Sequence, residues 1–400
     1  MVANDSPGGS VFSGHPRSPF PKNGMRRPRV LYILGSLAAN EVGQEIVAIL
    51  GRLSRSSFDP RVVTLGGRED LRDQIRELKV RTYSLGLVGS VGTLQAVSKV
   101  RDVIKKTGAD VVHGYGSWGG AVAQLAAPKD VAVVRTVTRP PNHEKDLRGR
   151  LLRHLERRAR GRVETHFVVP NEGSRGLAVR AYGAADGHVE VLPTSVDVSE
   201  VRSRVGETTR EAARRLLGIA ADETAFVLLS HFDSGAAMDR ILTGLSVAVV
   251  ENPKIRMFIL GSGRYEGSTR WKAEELQLGD SVVFLGNEAD TSAVWAGVDV
   301  AIDATPWASW SRAALQAIAA GLPTVKMQAG VAGWSEELDE SLPMVSGHPE
   351  RFASDLVRLA SDADLRAEIL EHGARVTEEI DVGNVVERLG SLYQSLMGSN

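Results

Sequence analysis

Short apolar runs alternate with longer amphipathic segments along most of the chain. The first apolar run, RVLYIL at 29–34, is followed by EVGQEIVAILGRL, whose apolar residues recur at helical spacing: Ile46, Ile49, Leu50 and Leu53. Later runs such as VAVVRTV are apolar at consecutive positions rather than at alternate ones. Strands that are apolar on both faces, and that alternate with helices, predict a parallel sheet covered by helices on two sides.

The alternation pauses once, over the polar stretch TSVDVSEVRSRVGETTR at 194–210, and then restarts with AFVLLS. We therefore predict two α/β domains, over 28–195 and 196–381, that face each other across a cleft. Residues 1–27 are rich in Pro, Gly and Ser and contain no continuous apolar core, which predicts a disordered tail rather than a secretory signal. Open α/β sheets bind ligands at the carboxyl ends of their strands, so we expect the site there.

The composition excludes several classes of protein. A net charge of −1 argues against nucleic-acid binding, which needs a strongly basic surface. The chain has no cysteine and so can form neither a disulfide framework nor a zinc–thiolate site. Its longest apolar runs are of strand length, far below the ~20 residues of a membrane-spanning helix. We expect a cytoplasmic protein.

Seven segments, spread in order from residue 29 to residue 325, resemble the family 4 glycosyltransferases, which are retaining enzymes of the GT-B fold. They are RVLYILGSL, ADVVHGYG, VLPTSVDV, MFILGSGR, SVVFLGNEAD, AGVDVAIDATPW and LQAIAAGLPTV. The resemblance implies two facing Rossmann-like domains and a final helix, 382–400, that crosses back to the first. It also implies hexosyl transfer from a nucleotide-diphosphate sugar, without a metal or other cofactor. The donor would lie on the second domain and the acceptor on the first.

The chain departs from this family at charged positions of the donor site. Gln316 and Ala308 stand where the family has two glutamates, eight residues apart. His231 and Ala236 stand where the family has an arginine and a lysine. Fixed cations stabilise the charge of a leaving diphosphate, and losing one such contact commonly costs ~2.7–4 kcal/mol in the transition state. These departures put the activity in doubt.

Candidate donor-binding residues follow from the same motifs. The loop Gly261-Ser262-Gly263-Arg264 comes after an apolar strand, where backbone amides can face phosphate, although a plain turn has the same sequence. The set is completed by His231, Asn287, Arg312 and Gln316.

We also expect the helix 311–320 to direct its N-terminus at the cleft. It would form an anion site with Arg312 beside it and no carboxylate to repel phosphate. Trp307 and Trp310 would cover this site or pack in the core.

Two residues at strand ends of the first domain are candidates for catalysis. His113 ends the strand DVVH and is expected to point into the cleft, although a lone histidine is more often structural. Arg139 precedes Pro140-Pro141 and could meet a phosphate or carboxylate; a surface arginine is an equal alternative. His143, His154 and His166 do not form a ligand set, and Asp362-Ala363-Asp364 reads as a helix N-cap, so no metal site is predicted.

The segment 145–162, KDLRGRLLRHLERRARGR, is strongly basic and amphipathic. It predicts a helix that packs on the core with a solvated basic face, or one that lies on the anionic inner face of a membrane.

For the whole chain two functions stay open. One is hexosyl transfer to a glycan, lipid-linked or small-molecule acceptor. The alternative is a catalytically silent relative that binds a nucleotide, a glycan or a partner protein.

Overall fold

A computed structural model describes residues 26–53, 57–87, 89–137, 147–232, 234–287, 290–305, 310–328 and 343–398. Most of the predicted tail, together with Arg139, Trp307 and Ala308, lies outside the described residues. The last residues of that predicted tail are described, and the guanidinium of Arg26 donates to both carboxylate oxygens of Asp110, at 2.7 and 2.8 Å.

The described residues of the first domain form a seven-stranded parallel sheet in the order β3-β2-β1-β4-β5-β6-β7. Its strands are β1 (Arg29–Leu34), β2 (Asp59–Thr64), β3 (Arg81–Ser84), β4 (Val111–Tyr115), β5 (Ala132–Thr136), β6 (Thr165–Val169) and β7 (Val189–Val191). The accompanying helices are α1 (Glu41–Arg52), α2 (Arg72–Glu77), α3 (Gly89–Thr107), α4 (Gly116–Ala126), α5 (Leu147–Ala159) and α6 (Gly173–Leu177).

The second domain repeats this plan with six parallel strands among its described residues, in the order β10-β9-β8-β11-β12-β13. They are β8 (Thr224–Leu229), β9 (Ile255–Leu260), β10 (Val282–Gly286), β11 (Val300–Asp303), β12 (Thr324–Met327) and β13 (Met344–Val345). The helices are α7 (Val198–Gly206), α8 (Arg210–Leu217), α9 (Gly235–Glu251), α10 (Glu266–Glu275), α11 (Thr291–Gly297), α12 (Arg312–Ala319), α13 (Pro349–Ser361), α14 (Ala363–Ile380) and α15 (Val382–Gly398).

Each sheet is buried on both faces, as its doubly apolar strands require. In β1, for example, Val30 and Tyr32 pack into one core, whereas Leu31 and Ile33 pack into the core on the opposite face. The two cores of the second domain divide β8 in the same way. The prediction of two α/β domains with parallel sheets is confirmed.

Helix α15 follows the second domain in sequence but packs into the core of the first. Val382, Val386, Leu389 and Tyr393 join the cluster that covers one face of the first sheet. The helix begins directly after Asp381, where Val196 and Asp381 form an isolated parallel bridge. No helix in the described part of the chain is both long enough and apolar enough to cross a bilayer.

The predicted N-cap at Asp362 is confirmed. Asp362 Oδ1 accepts a hydrogen bond of 2.8 Å from the backbone N–H of Leu365, in the first turn of α14. This bond satisfies one of the amide groups that have no partner within the helix. The second half of the DxD pattern, Asp364, lies in the same first turn, where a negative charge favours the helix dipole.

Candidate nucleotide-sugar site

The carboxyl ends of β8, β9, β11 and β12 lie along one edge of the second sheet, because these strands are parallel neighbours. The predicted donor-site residues that follow these ends are therefore brought to the same edge. They are His231 after β8, the loop 261–264 after β9, and the start of α12 after β11. Asn287 follows β10 at the same edge.

The glycine loop is packed directly against the segment that follows β8. Gly261 has φ 136°, and a Cβ built there would lie 1.7 Å from the carbonyl oxygen of Ser230. A Cβ at Gly263 would lie 1.9 Å from the carbonyl oxygen of His231. Both contacts are with backbone that cannot rotate away, so this close approach requires glycine at both positions.

Further hydrogen bonds tie the ends of three strands together. Asn287 Nδ2 donates to Ser262 Oγ and joins the end of β10 to the glycine loop. The backbone N–H of Tyr265 donates to the carbonyl of Phe232 at 3.2 Å, and Phe232 itself has a left-handed backbone with φ 49°. Arg264 is exposed, and its guanidinium carbon lies 5.6 Å from the centre of the Tyr265 ring. The loop therefore has a fixed backbone and an exposed cation.

Arg312 and Gln316 line a cavity of about 310 Å³ whose walls come from both domains. Gln44, Val47 and Ala48 of α1 and Gln74 of α2 line it on the first-domain side. Asp197, Glu200 and Trp295 are among its second-domain walls. Arg52 of α1 pairs with Asp197 at 2.5 Å, so an ion pair joins the two domains beside the cavity.

Two details of the sequence prediction for α12 are corrected. Arg312 Nη1 donates to the carbonyl of Ser195 at 2.6 Å, so this arginine holds the connector between the domains. The start of the helix also has a carboxylate nearby, because Asp303 Oδ2 accepts from the backbone N–H of Ser311 at 2.8 Å. The sequence prediction missed Asp303, although it ends the apolar run VDVAID, where a buried charge is unusual.

Lys326 neutralises this carboxylate. Its ammonium nitrogen lies 3.0 Å from Asp303 Oδ2 and 3.1 Å from Thr305 Oγ1, and the side chains of both ion-pair partners have no exposed surface. Trp310 packs in the core next to the same loop, which agrees with the plain packing alternative. The described start of α12 is thus held by a buried, charge-neutral network.

His113 does not point into the cleft, contrary to the sequence prediction. Its ring is fully buried, with Nδ1 2.6 Å from the hydroxyl of Tyr393 in α15 and Nε2 2.7 Å from Thr136 Oγ1. Tyr32 lies beside it, with its hydroxyl 3.0 Å from that of Tyr393. Burial lowers the pKa of His113 to about 3. His113 is therefore structural. The sequence prediction did not anticipate that α15 covers its ring.

Two family models match the chain. A glycosyl transferase 4-like domain matches residues 41–195, and a glycosyl transferases group 1 domain matches residues 226–362. The first match lies in the first domain, which contains β1–β7. The second match begins in β8 and ends at the N-cap of α14, so it covers most of the second domain.

Two curated relatives match part of the chain. The D-inositol 3-phosphate glycosyltransferase of Saccharomonospora viridis is 30% identical over 221 residues, which is 52% of this chain and 50% of that protein. The alpha-monoglucosyldiacylglycerol synthase of Streptococcus pneumoniae is 24% identical over 138 residues, which is 34% of this chain and 31% of that protein. The chain therefore matches half or less of the length of these relatives.

The fold comparison extends over nearly the whole chain. Anabaena HepE, solved in complex with UDP, superimposes with a TM-score of 0.72 over 92% of this chain and 100% of its own, at 16% identity. At that identity the likeness is one of fold. Two parallel-sheet domains, each matched by a glycosyltransferase family model, give the chain the GT-B fold.

Proposed function

We propose that the protein transfers a hexosyl group from a nucleotide-diphosphate sugar to a carbohydrate, lipid-linked or small-molecule acceptor, with retention at the anomeric carbon. The observation that carries the proposal is the glycine loop 261–264, which is packed so tightly on the segment after β8 that only glycine fits. Such a loop at the carboxyl edge of a parallel sheet presents backbone amides to a diphosphate. The two family-model matches and the UDP bound to HepE support the same assignment.

The charges of the proposed site favour the nucleotide end of the donor over the sugar end. Arg264 is exposed at the loop, and His231 is half-buried beside it. Gln316 can donate a hydrogen bond to a hydroxyl or accept one from it, but it carries no charge. The Asp303 carboxylate is neutralised by Lys326, so it offers little repulsion to a phosphate. The leaving diphosphate would be stabilised by backbone amides and by Arg264.

Calorimetric titration tests the proposal. Several nucleoside diphosphates and their hexose conjugates are titrated into the wild type and into Arg264→Ala, with Arg215→Ala, an exposed arginine of α8, as the matched control. We expect one nucleotide to bind. Its affinity should be lowered by Arg264→Ala and unchanged by Arg215→Ala. If the sugar nucleotide binds far more tightly than the diphosphate, the preference for the nucleotide end is wrong. If no nucleotide binds, the proposed function fails.

The catalytically silent alternative is separated by turnover. Release of nucleoside diphosphate from the bound sugar nucleotide, with and without a panel of glycan and lipid acceptors, would establish transfer. Binding without release under all acceptors would favour the silent relative. We propose that transfer needs no metal, so chelation should leave the rate of release unchanged.

The exposed arginines of α5 favour binding of the protein to the anionic, cytoplasmic face of a membrane. Its Leu155 and Ala159 are buried against α4, whereas its described arginines are exposed: Arg150, Arg157 and Arg158, with Arg160 and Arg162 following. We therefore propose that α5 packs on the core and that the basic segment 145–162 also adsorbs to anionic lipid. Cosedimentation with phosphatidylglycerol vesicles, but not with phosphatidylcholine vesicles, is expected. It should be weakened by Arg157→Glu with Arg158→Glu and unaffected by Arg215→Glu with Arg351→Glu.

A further inference from the structure

Three potential metal ligands meet where β6 and β7 begin. Glu164 Oε1 lies 3.6 Å from His166 Nε2 and 3.5 Å from His188 Nε2. The two imidazole rings stack with their centres 4.4 Å apart and an interplanar angle of 25°. One ligand atom of each residue lies within 4.8 Å of the other two. This is the one such trio of His or carboxylate side chains within the described ranges.

The strand register accounts for this meeting. Glu164 and His166 are two residues apart in extended chain, so their side chains lie on the same face of the sheet. Phe167 of β6 pairs with Val189 of β7, so His166 and His188 each precede a paired residue by one position. Neighbouring strands are ≈ 4.8 Å apart, which brings the two rings together. From the sequence, His166 was predicted to form no ligand set with His143 and His154, and its neighbours Glu164 and His188 were not recognised.

The distances from Glu164 to the two histidines are longer than those of short hydrogen bonds. A charge-assisted N–H···O⁻ bond is about 2.7–2.9 Å long, and both Glu164–histidine distances exceed this range. A metal bound tetrahedrally by ligands at about 2.1 Å places those ligand atoms roughly 3.4 Å from one another. The two measured separations are close to that edge length. Both distances from the carboxylate oxygen therefore suit ligands of one central ion, and the histidine ligand atoms lie within 4.8 Å of each other.

We propose that Glu164, His166 and His188 bind one divalent transition-metal ion, with Zn²⁺ preferred among those commonly available and water as the fourth ligand. Two imidazoles and one carboxylate suit Zn²⁺, whereas Mg²⁺ and Ca²⁺ require oxygen ligands. The exposed fractions of the side chains are 70% for Glu164, 20% for His166 and 36% for His188, so an ion can enter from solvent. This inference does not depend on the proposed transfer activity.

The position of the site gives it a structural role. It lies at the amino ends of β6 and β7 in the first sheet, whereas nucleotide binding is proposed at the carboxyl edge of the second sheet. β7 is only three residues long and forms the edge of the first sheet. An ion bridging Glu164 and His166 to His188 fastens this short strand to its neighbour. The chain then runs on to Ser195, whose carbonyl accepts from Arg312.

Zinc titration of the untagged full chain, after removal of metal by a chelator, tests the proposal. We expect one saturable Zn²⁺ site per chain, a melting temperature raised by Zn²⁺, and little response to Mg²⁺. His166→Asn and His188→Asn should each weaken binding by at least about tenfold, whereas the matched control His348→Asn, an exposed histidine of the second domain, should not. Melting curves without metal establish that each variant is folded.

A second measurement keeps the proposal testable if a variant does not fold. X-ray absorption at the zinc edge of the wild type should show two imidazole ligands and additional oxygen, and anomalous scattering should place the ion among the three side chains. The proposal is overturned if the wild type has no saturable site, if folded variants bind as the wild type does, or if the ion lies elsewhere.

Discussion

Asp303 and Lys326 are paired residues on neighbouring strands β11 and β12, and they form a fully buried ion pair with a separation of 3.0 Å. The same carboxylate accepts hydrogen bonds from the backbone of Thr305 and of Ser311. It therefore joins the ends of two strands to the start of α12. The described ends of the loop between β11 and α12, at 304–305 and 310–311, are thus held by a carboxylate whose charge Lys326 neutralises.

Lys326→Met should lower the free energy of unfolding by about 3–5 kcal/mol, because it leaves the Asp303 carboxylate buried without its counter-charge. Urea denaturation measures the loss. Lys254→Met, which removes an exposed lysine paired with Asp222, should change stability by less than about 1 kcal/mol. Equal losses for the two variants would show that the buried pair contributes no more than a surface pair.

Tyr393→Phe should destabilise the protein by about 1–3 kcal/mol, because buried His113 Nδ1 and the Tyr32 hydroxyl lose a hydrogen-bonding partner. The half-buried Tyr83 offers a control, and Tyr83→Phe should be close to neutral. Thermal or urea unfolding gives the comparison. A neutral Tyr393→Phe would mean that the hydrogen bonds of its hydroxyl do not help to hold α15 on the first domain.

Stability should fall on acidification because of His113. Its pKa is about 3 in the folded protein, below the 6.5 of an unperturbed histidine. Between these values the unfolded chain binds a proton that the folded chain does not, so stability decreases as pH falls below 6.5. At pH 5 this contribution is about 2 kcal/mol. Urea unfolding at pH 7 and pH 5 should show a smaller difference for His113→Gln than for the wild type, and equal differences would contradict the assignment.

Gly263→Ala should weaken nucleoside diphosphate binding by about tenfold or more, because its Cβ would collide with the His231 carbonyl and displace the loop. Gly267→Ala is the matched control. A Cβ at Gly267 meets nothing within 4 Å, and alanine favours the helix. Calorimetry gives both affinities. If the wild type binds and both variants bind equally well, the loop does not contact the phosphates.

His231→Arg combined with Ala236→Lys should tighten nucleoside diphosphate binding. The two substitutions restore cations next to the glycine loop, and hydrogen bonds to charged groups contribute about 1.5–3 kcal/mol, which corresponds to roughly tenfold or more in affinity. Val250→Lys places a cation near the far end of the same helix, α9, and should have no effect. An unchanged affinity in the double variant would place the phosphates elsewhere.

The elements could be predicted from sequence because the signal is local. The apolar run RVLYIL is observed as the strand Arg29–Leu34, and the predicted helix 311–320 is observed as Arg312–Ala319. The glycine loop was found for the same reason, since a tight turn after a buried strand leaves its residues adjacent in the chain.

Partners in space were harder to predict. Nothing in DVVH indicates that His113 is covered by Tyr393, because the two residues are 280 positions apart. Asp303 and Lys326 each look like an isolated charge at the end of an apolar run, and only the order of strands makes them neighbours. The same holds for His166 and His188, which meet through the pairing of β6 with β7.

The return of α15 to the first domain makes the folding of the two domains interdependent during synthesis. His113 leaves the ribosome long before Tyr393, and the whole second domain is made in between. During that interval one face of the first sheet lacks the apolar side chains of α15 that cover it in the finished protein. Domains usually fold in the order in which they are made. Here the domain that begins first is completed last.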